Sequence, residues 1–453
     1  MDNGRLQVLL LSWVVAAAAL AIGRWWRKTP ATGLVLAYLL NLWIIHWVAP
    51  ALYLLPSYQG FDQRIVEAGL EQSVYAVIAF AFGSLALTPL LLNLGILPRP
   101  RAQLEVDTNL PKAYIALGAG SYAVMSMGVG ALPSATALFA TGQQLVVVGL
   151  ALCCWYAWRK RSNWKLALWL GVTLLLPFIT IVTRGFISYG AVAALTVFIF
   201  ISGFLKPRPM VLAAGILLGY LGLSVFVTYM RDRNDIRETV WGGQPMQVRL
   251  TQLEATVSQF EWFDLSNADH LHAVDGRLNQ SFLAGLAVSR LSDIGGYANG
   301  ETFWEALLAL IPRAIWPDKP IQAGSGTMVS EYTGLRFVSG ISVGIGQVME
   351  FYVNFGTLGV LLGFTLMGVL VTTLDVAAAE RLAVHDLQGF VLWFLPGISL
   401  LQVGGSLVEV TGSAVASAIV AVLANAYLDR LQGKKKIAMM LRAVSPSVLR
   451  SNV

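Results

Sequence analysis

The chain has 453 residues, 56% of them hydrophobic and only 12% charged, with a net charge of +6 and a mean hydropathy of +0.66. Soluble domains carry about 45–50% apolar and about 25% charged residues, so this composition excludes an ordinary water-soluble fold and points to lipid as the main solvent. The basic excess lies in scattered loop clusters rather than on one face, which argues against nucleic acid and fits the Lys and Arg that membrane proteins collect on the cytoplasmic side.

In chain order, apolar runs of about 18 residues or more read as spanning helices. They fall at 6–23, 33–55, 73–97, 113–131, 140–158, 166–183, 186–205, 209–229, 344–373, 387–405 and 410–428. The first run leads into Arg24, Arg27 and Lys28 without a small-residue cleavage site, so it is expected to be a span and not a cleaved signal. Cys153 and Cys154 are adjacent inside an apolar run and read as packing residues, with no metal-ligand set around them. The expected fold is an all-α polytopic membrane protein of about eleven transmembrane helices. Helices 1–8 fill residues 1–229, a large external loop with short interfacial helices fills 230–343, helices 9–11 fill 344–430, and a basic cytoplasmic tail fills 431–453.

Charge sets the orientation. Nineteen Lys and Arg residues follow helices 1, 3, 5, 7, 9 and 11, whereas the short segments of the other side hold only Arg5, Arg64 and Arg184. The positive-inside rule then puts the N-terminus outside and the C-terminus in the cytoplasm, as an odd helix count also requires. Within the outer loop, SFLAGLAV (281–288) and TFWEALLALIPRAIW (302–316) are too short to span and are expected to lie at the interface or re-enter. The alternative is that 302–316 and its neighbours form a pair of true spans.

The loop holds eight Arg and one Lys, against eleven Arg and eight Lys on the cytoplasmic side. Topology alone would accept either residue, but only Arg offers a planar fork for phosphate, so the bias points to a phosphate ligand. Ion pairs with Asp232, Asp235, Glu238, Glu254, Glu261 or Asp264 are the competing explanation for any single arginine, including Arg231. Arg184 lies in FITIVTRGFISYG between two apolar runs, as a ligand residue or a snorkelling anchor. IPRAIWPDKP (311–320) is a proline-fixed turn presenting Arg313, Lys319 and Trp316, the last a sugar-stacking platform or a belt residue. Glu350 opens a spanning helix with Asn354 one turn inward, and is a candidate general base or the partner of an outer arginine. His270 and His272 are the other candidate bases.

These segments resemble something known. TRGFISYGAVAALTVFIFISGF, the Arg290 of AVSRLSD, IPRAIWPDKP and GQVMEFYVNFGTLGVLLG, in that order over about residues 165–375, resemble the Wzy-type oligosaccharide repeat-unit polymerases. The resemblance implies an inner-membrane glycosyltransferase joining undecaprenyl-diphosphate-linked oligosaccharides at the outer face, for O-antigen, exopolysaccharide or common-antigen synthesis. It implies a diphosphate clamp, here Arg184, Arg290, Arg313, Lys319 and Arg231, with a base among Glu350, His270 and His272. It implies no cofactor and no metal. Expected partners are the lipid-linked oligosaccharides and membrane lipid, with a chain-length regulator protein as a candidate. An O-antigen-type ligase has the same chemistry with a different acceptor. A transporter or flippase would need more ionisable residues inside the spans than His46, Glu350, Asp375 and Glu409. Reporter fusions at Lys160 and Lys435 are expected to read cytoplasmic, and one at Asp264 external; an external Lys435 would sink the eleven-span topology.

Overall fold

The computed structural model describes residues 3–95, 108–126, 133–205, 208–311, 316, 318, 325–336 and 343–448, and among these every regular element is helical. The helices of the apolar runs are α1 (Gly4–Trp26), α2 (Leu34–His46), α3 (Gln63–Asn93), α4 (Leu110–Ser126), α5 (Thr136–Arg159), α6 (Asn163–Arg184), α7 (Ser188–Ser202) and α8 (Arg208–Arg231). Between α8 and the last apolar helices come α9 (Arg233–Trp241), α10 (Met246–Ser258), α11 (Ala268–Leu278), α12 (Gln280–Ile294), α13 (Glu301–Ala309) and α14 (Ser325–Thr333). Then follow α15 (Gln347–Ala383), α16 (Leu387–Leu400) and α17 (Leu407–Val448). A helix lies over each of the eleven expected runs. Seven of them, α1, α3, α5, α6, α8, α15 and the Leu407–Leu431 part of α17, are long and apolar enough to cross a membrane. Helices α2, α7 and α16 are apolar but shorter. Helix α17 runs on past Leu431 into the basic stretch.

Helix α3 is the hub, packing on α1, α12 and α15. It meets α12 with almost no side chain between them: a Cβ on Gly69 would stand 1.8 Å from the Ser281 carbonyl, and one on Gly285 1.8 Å from the Ile65 carbonyl. The SFLAGLAV stretch is thus a helix docked face to face on α3, held by backbone proximity of the kind small residues allow. Aromatic rings fill the middle of the bundle, with Tyr38 stacked on Phe80 at 4.7 Å and Phe390 on Phe394 at 4.6 Å.

Two features are set by polar chemistry. At Asp375, fully buried on α15, Oδ2 accepts from Arg24 Nη2 of α1 at 2.6 Å. Its Oδ1 accepts from Thr32 N (2.7 Å), Thr32 Oγ1 (2.7 Å) and Leu34 N (3.1 Å) at the start of α2. One carboxylate so ties three helices and caps one of them. The second feature is a break in α15. Phe355 and Gly356 leave helical geometry, Gly356 at φ +61°, ψ −151°, a region open essentially only to glycine. The freed Val353 carbonyl accepts from Ala298 N at 2.9 Å, and Asn354 Oδ1 accepts from Gly300 N at 3.0 Å. The Asn-Phe-Gly of the sequence is therefore a hinge with the loop before α13 clasped to it.

Removing one partner of a buried pair strands the other charge, at a cost of about 3–5 kcal/mol. Arg24→Met is expected to lower the thermal unfolding midpoint in detergent sharply, and Arg24→Met with Asp375→Asn to recover part of the loss. A single variant with the wild-type midpoint would show that the pair contributes nothing.

A candidate anion site of three arginines

Helix α9 follows α8 after one residue. Its apolar positions Ile236 and Val240, four apart, bury against Ile181 of α6 and Tyr229 of α8. That spacing leaves Arg233 and Arg237, also four apart, side by side. The corner they meet is pinned twice: the Tyr229 hydroxyl donates to the Gly185 carbonyl at 2.8 Å, and Trp241 Nε1 donates to the Arg184 carbonyl at 3.1 Å. The Arg237 guanidinium lies over the rings of Phe186 (4.5 Å) and Trp241 (5.0 Å). A third arginine, Arg277, comes from α11. That helix is fixed two residues earlier by the buried Asp275, which accepts from Tyr53 Oη (2.8 Å), Tyr58 Oη (2.7 Å) and Asn279 Nδ2 (2.6 Å).

The three guanidinium groups feel one another. Arg233 is nine-tenths buried, and its pKa is pushed down to about 10 by burial first and then by the charges of Arg277 and Arg237. Arg277 is held below its ordinary value by burial and by Arg237. Among the described residues none of the three pairs with a carboxylate, and the buried Arg237 Nε has no hydrogen-bond partner. Three arginine forks without a carboxylate partner among the described residues have the chemistry to hold a multiply charged oxyanion, which arginine grips in bidentate fashion.

A family model described as a domain of unknown function, DUF8712, matches residues 57–423. The chain belongs to that family. No curated protein and no solved structure matches the chain. The stretch matched by the family contains the whole arginine cluster and nearly all of the helices that position it.

The residues singled out in the sequence are dispersed. Arg231 is committed: it donates to Asp232 through Nε at 2.8 Å and Nη2 at 3.0 Å, to the Gln259 carbonyl at 2.6 Å, and to Glu261. His270 is committed as well. Its Nδ1 accepts from Asp264 N at 3.1 Å, which leaves the proton on Nε2, and Nε2 donates to Glu261 Oε2 at 2.9 Å. These contacts buckle residues 259–264 onto the end of α8, and they hold the Glu261 carboxyl below its usual range, His270 foremost and Arg231 next. His272 is exposed on α11, its ring 5.5 Å from that of Tyr58. Arg184 turns its guanidinium away from the cluster, to Gln143 and to the rings of Tyr122 (5.8 Å) and Tyr189 (4.9 Å). Arg290 is exposed beside Gly334, and Trp316 is exposed. Arg313 and Lys319 lie outside the described residues.

Glu350 is fully buried. Its Oε2 accepts from Leu407 N at 2.6 Å, at the start of α17, where Ser406 and Glu409 form a reciprocal cap. Among the described residues its Oε1 has no hydrogen-bond partner within normal distance and no cation pairs with it. It joins α15 to α17 and does not meet Arg184.

Arg233, Arg237 and Arg277 belong to the loop's arginine excess, and the sequence alone does not single them out. The i, i+4 pair in RNDIRETVW was a usable signal; Arg277, forty residues on, gave none. If the cluster holds an oxyanion, inorganic pyrophosphate is expected to raise the thermal unfolding midpoint of the wild type. Arg237→Ala is expected to abolish that increment while leaving the ligand-free midpoint equal or higher, because like-charge repulsion is relieved. An increment undiminished in Arg237→Ala would remove Arg237 from the site.

Proposed function

We propose that this protein is a membrane glycosyltransferase that polymerises undecaprenyl-diphosphate-linked oligosaccharide repeat units at the outer face of a bacterial inner membrane. The observation that carries the reading is the trio Arg233, Arg237 and Arg277, three arginine forks without a carboxylate partner among the described residues. On this reading the eleven apolar helices all cross, the N-terminus lies outside, the C-terminus lies in the cytoplasm, and the trio sits in the outer loop.

The chemistry follows from the charges. A growing chain leaves its lipid diphosphate when the anomeric C–O bond to that diphosphate breaks. Negative charge then develops on the leaving oxygen, and preorganised arginines stabilise it where it forms. The new glycosidic bond forms from a hydroxyl of the incoming unit, whose proton must go to a base within hydrogen-bond reach. His272 supports that role best, because it is exposed on the helix that also carries Arg277, whereas both nitrogens of His270 are engaged.

A deletion strain decides between the acceptors. Loss of polymer with accumulation of single repeat units is the expected result; polymer retained but detached from its anchor would mean a ligase instead. In the complemented strain, Arg233→Lys and Arg277→Lys are expected to fail nearly as badly as the alanine variants, since lysine loses the fork. His272→Gln should lower turnover roughly 10²–10⁴-fold, the range for losing a general base. Full polymer length in both lysine variants at normal protein level would overturn the clamp.

A further inference from the structure

Between α10 and α11 the chain passes through QFEWFDL (259–265) without regular structure, and there it runs antiparallel to α8. Tyr220, Ser224 and Thr228 stand four apart on α8 and present three hydroxyls in a row. Thr228 Oγ1 accepts from Glu261 N at 3.0 Å and donates to the Glu261 carbonyl at 3.3 Å. Ser224 Oγ accepts from Phe263 N at 3.0 Å, and Tyr220 Oη donates to the Phe263 carbonyl at 3.1 Å. The hydroxyls stand in for a neighbouring strand. The N–H and C=O of Glu261 and of Phe263 are thus satisfied without water, the condition that non-helical backbone must meet beside lipid.

The side chains of the segment are sorted in an unusual sense. Glu261 turns inward to Arg231 and His270, and Phe263 packs inward with Leu223 and Phe226 on Ala49, Leu52, Leu271 and Val274. Trp262 turns outward and is 59% exposed, its ring stacked on that of Tyr220 at 5.9 Å and 7°, with Phe260 edge-on to it at 5.1 Å. Leu265 is exposed as well. A segment bathed in water puts its charge out and its large rings in; this one does the reverse. Tyr220 says what covers the rings. It is 42% exposed and closes a stretch of α8, residues 208–220, in which no side chain is buried, on a helix whose mean hydropathy of 2.3 suits lipid. Trp262 shares that flank and so shares its surroundings. A Trp and a Tyr at the end of a lipid-facing stretch take up the headgroup boundary, with ring faces toward the acyl chains and polar edges toward water. The geometry points to a lipid-binding wedge: residues 260–265 insert into the outer leaflet and rest this part of the loop on the phospholipid surface. The wedge is separate from the polymerase reaction and depends only on α8 crossing the membrane with its Arg231 end outward.

The test places a nitroxide on one cysteine at a time, in the full chain carrying Cys153→Ala and Cys154→Ala, in phosphatidylcholine nanodiscs. Leu265→Cys reports on the wedge with Trp262 still in place, and Trp262→Cys reports on the ring position itself. Leu217→Cys, on the exposed flank of α8, is the lipid reference, and Glu254→Cys, exposed on α10, is the water reference. Oxygen concentrates in lipid and a nickel chelate stays in water, so the ratio of their collision rates reports the surroundings. Both wedge positions are expected to lie severalfold above Glu254 and to approach Leu217. Ser224→Ala with Thr228→Val is expected to bring Leu265 down toward Glu254, because the freed N–H groups then seek water. An unchanged ratio there would overturn the hydroxyls as what holds the wedge. A ratio equal to that of Glu254 at both wedge positions, with Leu217 in lipid, would overturn the wedge. So would protection from both reagents, which would show that protein, a second copy included, covers the rings. A water-like ratio at Leu217 would show that α8 does not cross, and the wedge would fall together with the membrane arrangement proposed above.

Discussion

A polar group away from water must find its partners inside the protein, and the bundle is organised around that constraint. Asp375 gives the clearest case. A lone carboxylate at its depth would cost several kcal/mol, and it is tolerated because four donors from two other helices converge on it. The first two helices are thereby tied to the fifteenth, across 341 to 351 positions of sequence. The hub α3 then closes on α12 through backbone proximity, and the loop helices can be placed with respect to a rigid frame.

Against that rule the arginine trio stands out. Nearby in the chain, Arg231 has Asp232 and Glu261 within a few ångströms, and His270 is hydrogen-bonded to Glu261. Asp275 gathers three neutral donors. Only a few residues away, burial and neighbouring arginine charges both oppose the charge of Arg233 and of Arg277. Phe186 and Trp241 form an aromatic floor under the Arg237 guanidinium.

Much of the fold was legible in the sequence, because hydropathy reports the solvent directly: each expected apolar run carries a helix. What hydropathy cannot report is interruption by local backbone chemistry. The break at Phe355–Gly356 and the single-residue step from α8 to α9 leave the apolar count almost unchanged. The candidate site was legible only in kind. An Arg-rich, Lys-poor loop says that forks are wanted, but which fork is free depends on where the carboxylates fold. Arg231 and Arg233 are two residues apart, yet one is paired four ways and the other is not. The surroundings of Glu350 were hidden for a related reason. Its position near a helix start suggests an open mouth, whereas the neighbouring end of α17 closes over it.

The break in α15 also bears on the order in which the chain becomes complete. The stub before Phe355 draws its partners from far downstream: Gly346 N donates to the Gly404 carbonyl at 3.2 Å, Gln347 N to the Val403 carbonyl at 3.0 Å, and Glu350 accepts from Leu407 N. During synthesis the stub emerges more than fifty residues before those groups exist. The apolar remainder of α15 carries its own helical hydrogen bonds and can settle in lipid at once, while the stub has to wait at the aqueous edge. Gly356 lets the two halves part company, so the last helix to arrive is the one that locks the first turn of α15 into place.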